Sequence, residues 1–266
     1  MFNFTLFKRG VKENWKTLLI FAAVLSLYST VIFSMYEPDL KKTLDDYISA
    51  MPDIMAAVGM STLTATLIGF AANYLYGFIA LVFPMIFSIL CANKLVSRHV
   101  DRGSMTCLLA APVRRKTVAF TQMKVLAGGI FALVLYFTAL GITACALSYP
   151  GELEIGRFIL LNAGLLCLQL FIGGICFLCS CVFSEGKYSL GVGAGIPVLA
   201  FVVQMMANAG DKLENMKYMT FFTLFNPDGL IAGEAGAVGG AIVLFAGAIA
   251  LFGAAIAVFS KKDLHI

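Results

Sequence analysis

Charge is scarce in this sequence. Asp, Glu, Lys and Arg make up 13% of its 266 residues, about half the share usual in soluble domains. A chain this poor in charge cannot coat a water-facing surface, which excludes a free-standing soluble enzyme or binding domain. Other absences narrow the field further. There is no G-x-x-x-x-G-K-[ST] phosphate loop. The nearest approach, Gly186-Lys187-Tyr188-Ser189, lacks the upstream glycine and has Tyr after Lys, so the chain is not expected to hydrolyse ATP itself. Histidine occurs twice, as His99 and His265, both in polar stretches. No His, carboxylate or Ser–base pair lies within the long apolar runs, as a membrane-embedded hydrolase would require. A proton- or sodium-driven carrier usually keeps a carboxylate at membrane depth, and none is there either. If the chain moves something, the energy comes from a partner.

What it has instead is long apolar runs. Hydrophobic residues make up 60% of the chain, and six stretches approach the ~20 residues that a spanning helix needs. They lie at about 17–36, 75–95, 125–148, 158–182, 188–208 and 236–259. This predicts an all-α integral membrane protein that uses one transmembrane domain over residues 1–266. The first run is too long for a cleaved signal and is not followed by a small-residue cleavage site, so it is expected to remain. Cysteine numbers seven. Cys91, Cys145, Cys167, Cys176, Cys179 and Cys181 fall in apolar runs and Cys107 in a basic loop, which argues against a disulfide framework. "CFLCSC" (176–181) resembles metal-ligand spacing, with Glu185 nearby. Small apolar packing is the expected role, and no metal site is assigned.

Loop charge predicts orientation. With both termini on one side, that side holds fourteen of the 19 basic residues and four of the 15 acids. By the positive-inside rule both termini are cytoplasmic. The net charge of +4 then reflects topology and needs no nucleic-acid partner. Ahead of the first span, Phe4, Phe7, Val11 and Trp15 recur at helical spacing among Lys8, Arg9, Lys12 and Lys16. An N-terminal amphipathic helix over about 2–15, lying in the membrane interface, fits this pattern. An ordinary basic flank is the other reading.

The outer segment 37–74 reads as one or two short helices, serving as a structural cap or a substrate gate. Between the last two spans, "MKYMTFFTLFNPDGLIAGE" reads as an interfacial or re-entrant helix ending at the turn Asn226-Pro227-Asp228-Gly229. Pro84 and Pro197 are expected to kink spans two and five. Asn73, Asn93, Asn162, Gln169, Gln204 and Asn208 are polar groups in or beside the spans, suited to bonding between helices or to lining a pathway. Gly191 and Gly195, Gly236 and Gly240, and Ala246, Ala250 and Ala254 have the spacing of close helix packing, within the chain or against a second copy.

The stretch "SRHVDRGSMTCLLAAPVRRKT" (97–117) lies in the cytoplasmic loop, about 96–123. Arg98, Arg102, Arg114, Arg115 and Lys116 flank an apolar centre of Met105, Leu108, Leu109 and Val113, and Pro112 should end a short helix. Such a centre is suited to burial against another protein. It is equally suited to lying on the membrane, anchored by Arg114 and Arg115.

"DRGSMTCLLAAPVRRKTVAFTQMK" resembles the cytoplasmic loop of the ABC-2 type permeases: a Gly-Ser/Thr pair, a Leu-Leu pair, Pro and Val or Ile, an Arg, then a Lys opening the third span. The matching positions are Gly103, Ser104, Leu108, Leu109, Pro112, Val113, Arg115 and Lys124. The ending, with Phe259, Lys261, Lys262, Asp263 and Leu264, is similar too, as are the Asn-Pro-Asp-Gly turn and the six-span layout. His99 stands near where the family often has an acid, with Asp101 two residues on. Ser104 replaces the common Thr, and Arg114 stands where Ser or Thr is usual.

The resemblance implies an ABC-2 (type V exporter-like) permease fold and a permease subunit of a bacterial ABC exporter in the cell membrane. It implies a separate ATP-binding subunit, which would hold ATP and Mg, and a second permease subunit, identical or paralogous. It implies that Asp101, Arg102, Gly103, Ser104, Met105, Leu108, Leu109, Pro112, Arg114 and Arg115 form the coupling helix that sits in the ATPase. The route would run beside spans one, two and five, which makes Asn93, Gln204, Pro84 and Pro197 its candidate residues. An apolar route suits an amphipathic or lipophilic substrate, an antimicrobial peptide or drug among them. A stand-alone channel or secondary carrier, and a membrane anchor that transports nothing, are the competing readings.

Overall fold

The computed structural model describes residues 3–36, 66–97, 115–183, 185–209 and 211–261, with isolated positions between 50 and 56. In hydrocarbon each backbone N–H and C=O must be bonded within its own segment or covered by protein. The described residues meet this with helices and contain no strand. The α-helices are α1 (Phe4–Ser34), α2 (Leu67–Ala71), α3 (Ile79–Ala92), α4 (Arg115–Ser148), α5 (Ile155–Val182), α6 (Gly186–Asn208), α7 (Pro227–Ala232) and α8 (Ala235–Lys261). Five of them, α1, α4, α5, α6 and α8, are long and apolar enough to cross a membrane, and the bent pair of α2 and α3 passes the same test together, which makes six when the pair is counted as one broken span. The chain is a multi-pass membrane protein. Asn3, at the start of α1, lies against Thr121 near the start of α4, while Tyr36 meets Tyr149 beyond the other ends of those helices. The end holding Asn3 is called the near end below.

The first helix begins where Asn3 Oδ1 accepts the Leu6 N–H at 3.1 Å. It then runs 31 residues without a break, about 46 Å at ~1.5 Å per residue. The segments expected to be an interfacial helix and a first span are thus one helix, because no proline or free glycine interrupts them. Gly10 lies within it under Val125, whose Cγ2 would be 2.9 Å from a Cβ there. Leu6, Gly10, Asn14 and Thr17 form the buried face. Phe4, Val11 and Trp15 look outward, where a lipid interface can take them.

Span two is not one helix. After α2 the chain makes a π turn at Ala72–Tyr76, breaks at Gly77 and Phe78, and resumes as α3. The two arms, Leu67–Tyr74 and Ile79–Leu95, are bent by 48°. The proline at 84 was expected to mark the bend, yet α3 passes through Pro84 unbroken. The bend belongs to the π turn and to Phe78, whose backbone leaves the helical region at φ −135°, ψ −58°. Pro84 has a subtler effect. It removes the N–H that would bond the Ala80 carbonyl, and beside it Gln169 Nε2 of α5 donates to Leu81 O at 3.0 Å. α6 likewise runs through Pro197.

α5 is the centre of the bundle. Of its most apolar window 67% is buried, against 22% for α6. It packs on α3, α4, α6, α7 and α8. Against α8 the approach is close on both sides, since a Cβ on Gly174 would lie 3.0 Å from Leu251 and one on Gly247 would lie 2.6 Å from Phe171. Gly240 is pressed against the Leu224 carbonyl. Gly191, Gly195 and Gly236 have nothing within 4 Å of an added Cβ, and Ala246, Ala250 and Ala254 are exposed. The small-residue spacing therefore serves packing within the chain at Gly240 and leaves these other positions open.

Two glycines on α8 make this testable. Gly247→Ala must displace the Phe171 ring and should destabilise the chain by about 1–3 kcal/mol, as overpacking does. Gly253→Ala meets nothing and should be neutral or slightly stabilising. Thermal midpoints of the two variants in one detergent, read by size-exclusion fluorescence, give the comparison.

Candidate functional site

Two of the four residues proposed for a pathway lie along the seam between α3 and α6, Asn93 in a recess with Gly193 and Gln204 in a cavity with Leu81. At its near end Asn93 opens a second π turn, Asn93–Ser97, directly after α3. Its side chain shares a shallow recess with Cys176, Ser180, Ser189 and Gly193. That recess is hydrogen-bonded throughout: Ser189 Oγ donates to Ser180 Oγ at 3.2 Å, Ser180 Oγ to Cys176 O at 2.9 Å, and Cys176 Sγ to Gly193 O at 3.3 Å. Cys176 thus packs and bonds as a small side chain. Among the described residues no three His, Cys, Asp or Glu side chains gather to hold a metal. Pro84 and Pro197 are both buried, in α3 and in α6.

One residue beyond Asn93, Lys94 Nζ donates to Thr17 Oγ1 of α1 at 2.7 Å. Thr17 is buried, so this bond ties the end of span two to the middle of the first helix. Asn14 and Gln122 are buried close by, and Asn14 Nδ2 bonds back to Gly10 O at 3.0 Å. Thr121 Oγ1 donates to Thr117 O at 2.7 Å and accepts from the Asn3 N–H at 3.4 Å. No sequence pattern points to the Lys94–Thr17 pair, because the partners are 77 residues apart. Asp101, Arg102, Gly103, Ser104, Met105, Leu108, Leu109, Pro112 and Arg114 lie outside the described residues. Arg115 is the first residue of α4.

At the far end of the seam the bend of span two leaves a cavity of about 410 Å³, within the usual range for a small-molecule site. Gln204 projects from α6 about 16 Å beyond Gly193, at ~1.5 Å per residue. Apolar residues lining the cavity include Leu81, Phe201, Met205, Phe222 and Phe225. Its aromatic rings continue into one another, with Phe78 to Phe201 at 5.7 Å and Phe201 to Phe222 at 5.5 Å. The polar residues lining it are Asn73, Gln204, Asn208, Asn226, Thr223, Lys217 and Asp228.

Gln204 Nε2 donates to Asn208 Oδ1 at 3.0 Å. Thr223 Oγ1 lies 3.0 Å from Gln204 Oε1 and also within reach of the Lys217 carbonyl. A hydroxyl has one proton, so it serves one of these acceptors at a time. Partial burial desolvates the Asp228 carboxyl and raises it above its ordinary range.

The wall that carries Asn226 is built differently from the expectation. Asn226-Pro227-Asp228-Gly229 does not end a helix, as its turn-like sequence suggests, but begins one. Asn226 Oδ1 accepts the Gly229 N–H at 3.1 Å, Pro227 takes the first helical position, and α7 ends at Gly233 with φ 75°. Asn as N-cap, Pro at N1 and Gly after the end are the ordinary signals of a short helix. The segment before it is 3₁₀ turns, Asp211–Met219 and Phe221–Leu224.

A family model described as "ABC-2 family transporter protein" matches residues 7–264, nearly the whole chain. No curated protein matches the chain. With five to six helices long and apolar enough to cross a membrane and that match along its length, the chain belongs to the ABC-2 family of transporter proteins and is a transmembrane permease.

Proposed function

We propose that this chain is the membrane subunit of an ATP-driven exporter. It docks a separate ATP-binding subunit through the loop about 96–123 and pairs with a second permease subunit, identical or paralogous. It moves an amphipathic or lipophilic substrate, such as an antimicrobial peptide or drug, out across the bacterial cytoplasmic membrane. The near end is cytoplasmic on this reading, since it carries Lys8, Arg9, Lys12, Lys16, Lys94, Arg115 and Lys116. ATP and Mg belong to the partner.

The observation that carries the reading is the reach of α3. One continuous helix puts Leu81 in the wall of the far cavity and leads at its other end into Asn93, Lys94 and the loop. A push on the loop is therefore delivered through α3 to the cavity wall. The flanking π turns are where such a helix yields most easily, because their hydrogen bonds are out of α-helical register. The Lys94–Thr17 bond makes α1 move with it. Within the loop, Leu108, Leu109 and Pro112 would bear on the ATPase, with Asp101, Arg102, Gly103, Ser104, Met105, Arg114 and Arg115 around them.

Purification from native membranes in mild detergent should recover a soluble P-loop ATPase with this chain. Leu108→Asp with Leu109→Asp should lose it. Charge reversal at Arg114 and Arg115 should uncouple ATP hydrolysis from transport, and full retention of both would sink the docking assignment. Lys94→Met should keep the complex assembled while lowering ATP-dependent transport several-fold, as loss of a charge-assisted bond worth about 1.5–3 kcal/mol would do.

A second copy would meet α6. Gly191 and Gly195 are open, and Val198, Leu199 and Val202 are exposed beside them. Small residues are what let spanning helices approach. Gly195→Leu should leave the thermal midpoint of the chain unchanged and reduce the cross-linked dimer. An unchanged dimer yield would move the pairing surface elsewhere.

A further inference from the structure

We infer that Asn14 and Gln122 form a second seat for the Lys94 ammonium, one helical turn from the Thr17 hydroxyl that holds it here, and that Lys94 steps between the two as the near end changes state. This deepens the coupling proposed for the loop, α3 and α1, and rests on it.

The observation is a pair of buried oxygens without protein partners. Asn14 is 5% exposed and Gln122 4%, and neither Asn14 Oδ1 nor Gln122 Oε1 has a hydrogen-bond partner among the described residues. Turning the Asn14 amide over gives no relief, because Nδ2 is held by the Gly10 carbonyl at 3.0 Å and the turn would set two oxygens against each other. Gln122 Oε1 comes to the same glycine from α4, 3.4 Å from where a Gly10 Cβ would stand. Both carboxamides therefore border Gly10. A buried carbonyl oxygen left without a donor is costly, and here two of them call for one.

Lys94 supplies it. Its ammonium carries three protons and spends one on Thr17 Oγ1 at 2.7 Å. Thr17 and Asn14 both belong to the buried face of α1. Three residues apart, they are neighbours on that face, separated by about 4.5 Å along the axis. Asn14 is the one closer to the near end. A shift of the Asn93–Ser97 π turn toward the near end by part of that distance, with the flexible lysine arm covering the rest, moves the ammonium across. There it meets two carbonyl oxygens in place of one hydroxyl. The span-two end then has two discrete positions on α1, and Asn14 and Gln122 are positioning residues for the second.

The test is cross-linking in the full chain, with the ATPase that co-purifies, in lipid nanodiscs. Lys94→Cys is paired with Thr17→Cys or with Asn14→Cys, and a one-carbon bis-methanethiosulfonate replaces part of the lost lysine arm. Linked peptides are read by mass spectrometry, without nucleotide and after trapping with ATP, Mg and vanadate. The Thr17 pair should link without nucleotide and fall about fivefold on trapping, while the Asn14 pair rises by a similar factor. Yields that are the same in both states would overturn the second seat.

A mutant cycle keeps Lys94 itself in the measurement. Gln122→Leu should lower vanadate-sensitive ATP hydrolysis about fivefold with the ATPase still bound. In a Lys94→Met background it should cost nothing further, because the group it receives is gone. Losses that multiply would overturn the seat and leave Gln122 a fixed role, such as holding a water. A bound ATPase with unchanged cross-links overturns the second seat alone. Failure to recover any ATPase overturns the coupling reading, and the seat with it.

Discussion

A helix broken inside an apolar layer exposes backbone groups that lipid cannot satisfy, at several kcal/mol each. Among the described residues such a place lies at Gly77 and Phe78, and much of the far end is arranged to cover it. Tyr76, just before the break, is fully buried, with its ring 5.6 Å from Phe137 of α4 and 6.3 Å from Phe158 of α5. Phe78 rests on Phe201 of α6. Gln169 of α5 reaches the carbonyl of Leu81 just beyond. Three helices thus supply the protein that the broken backbone needs. The cavity follows from the same geometry, because a span bent by 48° cannot stay against α6, a single helix, along its whole length.

The central helix makes that cover possible. α5 is apolar on every face, as a helix enclosed by others must be. Its glycines let neighbours come close: Gly164 lies under Leu230 and Phe225, Gly173 under Ile130, and Gly174 under Leu251. Contacts of this kind do not slide easily, since each side chain fills a slot left by a missing Cβ. α4, α5 and α8 are therefore a frame. α6 packs on α5 as well but is the least buried of the five long helices, and α1 meets the frame mainly through α4, so movement of span two falls between these two less enclosed helices.

Much of this was legible in sequence, and the exceptions have physical reasons. Long apolar runs with charged boundaries specify spans because hydrocarbon tolerates little else, and the stretches expected at 125–148, 158–182, 188–208 and 236–259 fall within α4, α5, α6 and α8. Span two misleads because Leu67–Ala71 is as apolar as the core of the span, and hydropathy does not register a π turn. In α1 the apolar stripe of Phe4, Val11 and Trp15 draws attention, yet the face that packs holds Gly10, Asn14 and Thr17. Hydropathy looks for burial in fat side chains, whereas a close helix contact asks for small ones. Asn226 and Pro227 carried readable capping signals, which a reading of Asn-Pro-Asp-Gly as a turn passes over. Of the candidate site, Asn93 and Gln204 were visible as polar residues at opposite ends of spans. Their shared seam was not, since α3 and α6 are about a hundred residues apart in the chain.

The two ends of that seam differ in how their contacts respond to motion. At the far end, ring-on-ring packing from Phe171 through Phe221, Phe222 and Phe201 to Phe78 has broad, weakly directional minima, so the rings can slip while remaining buried. At the near end, Lys94 holds Thr17 through one directional bond at 2.7 Å, and a shift of an ångström or two breaks it. On the proposed function, a displacement arriving from the loop meets a discrete contact first and a compliant one last. That order gives a threshold at the point of input and a graded change of shape in the cavity, which suits a route that must accept its cargo before it releases it.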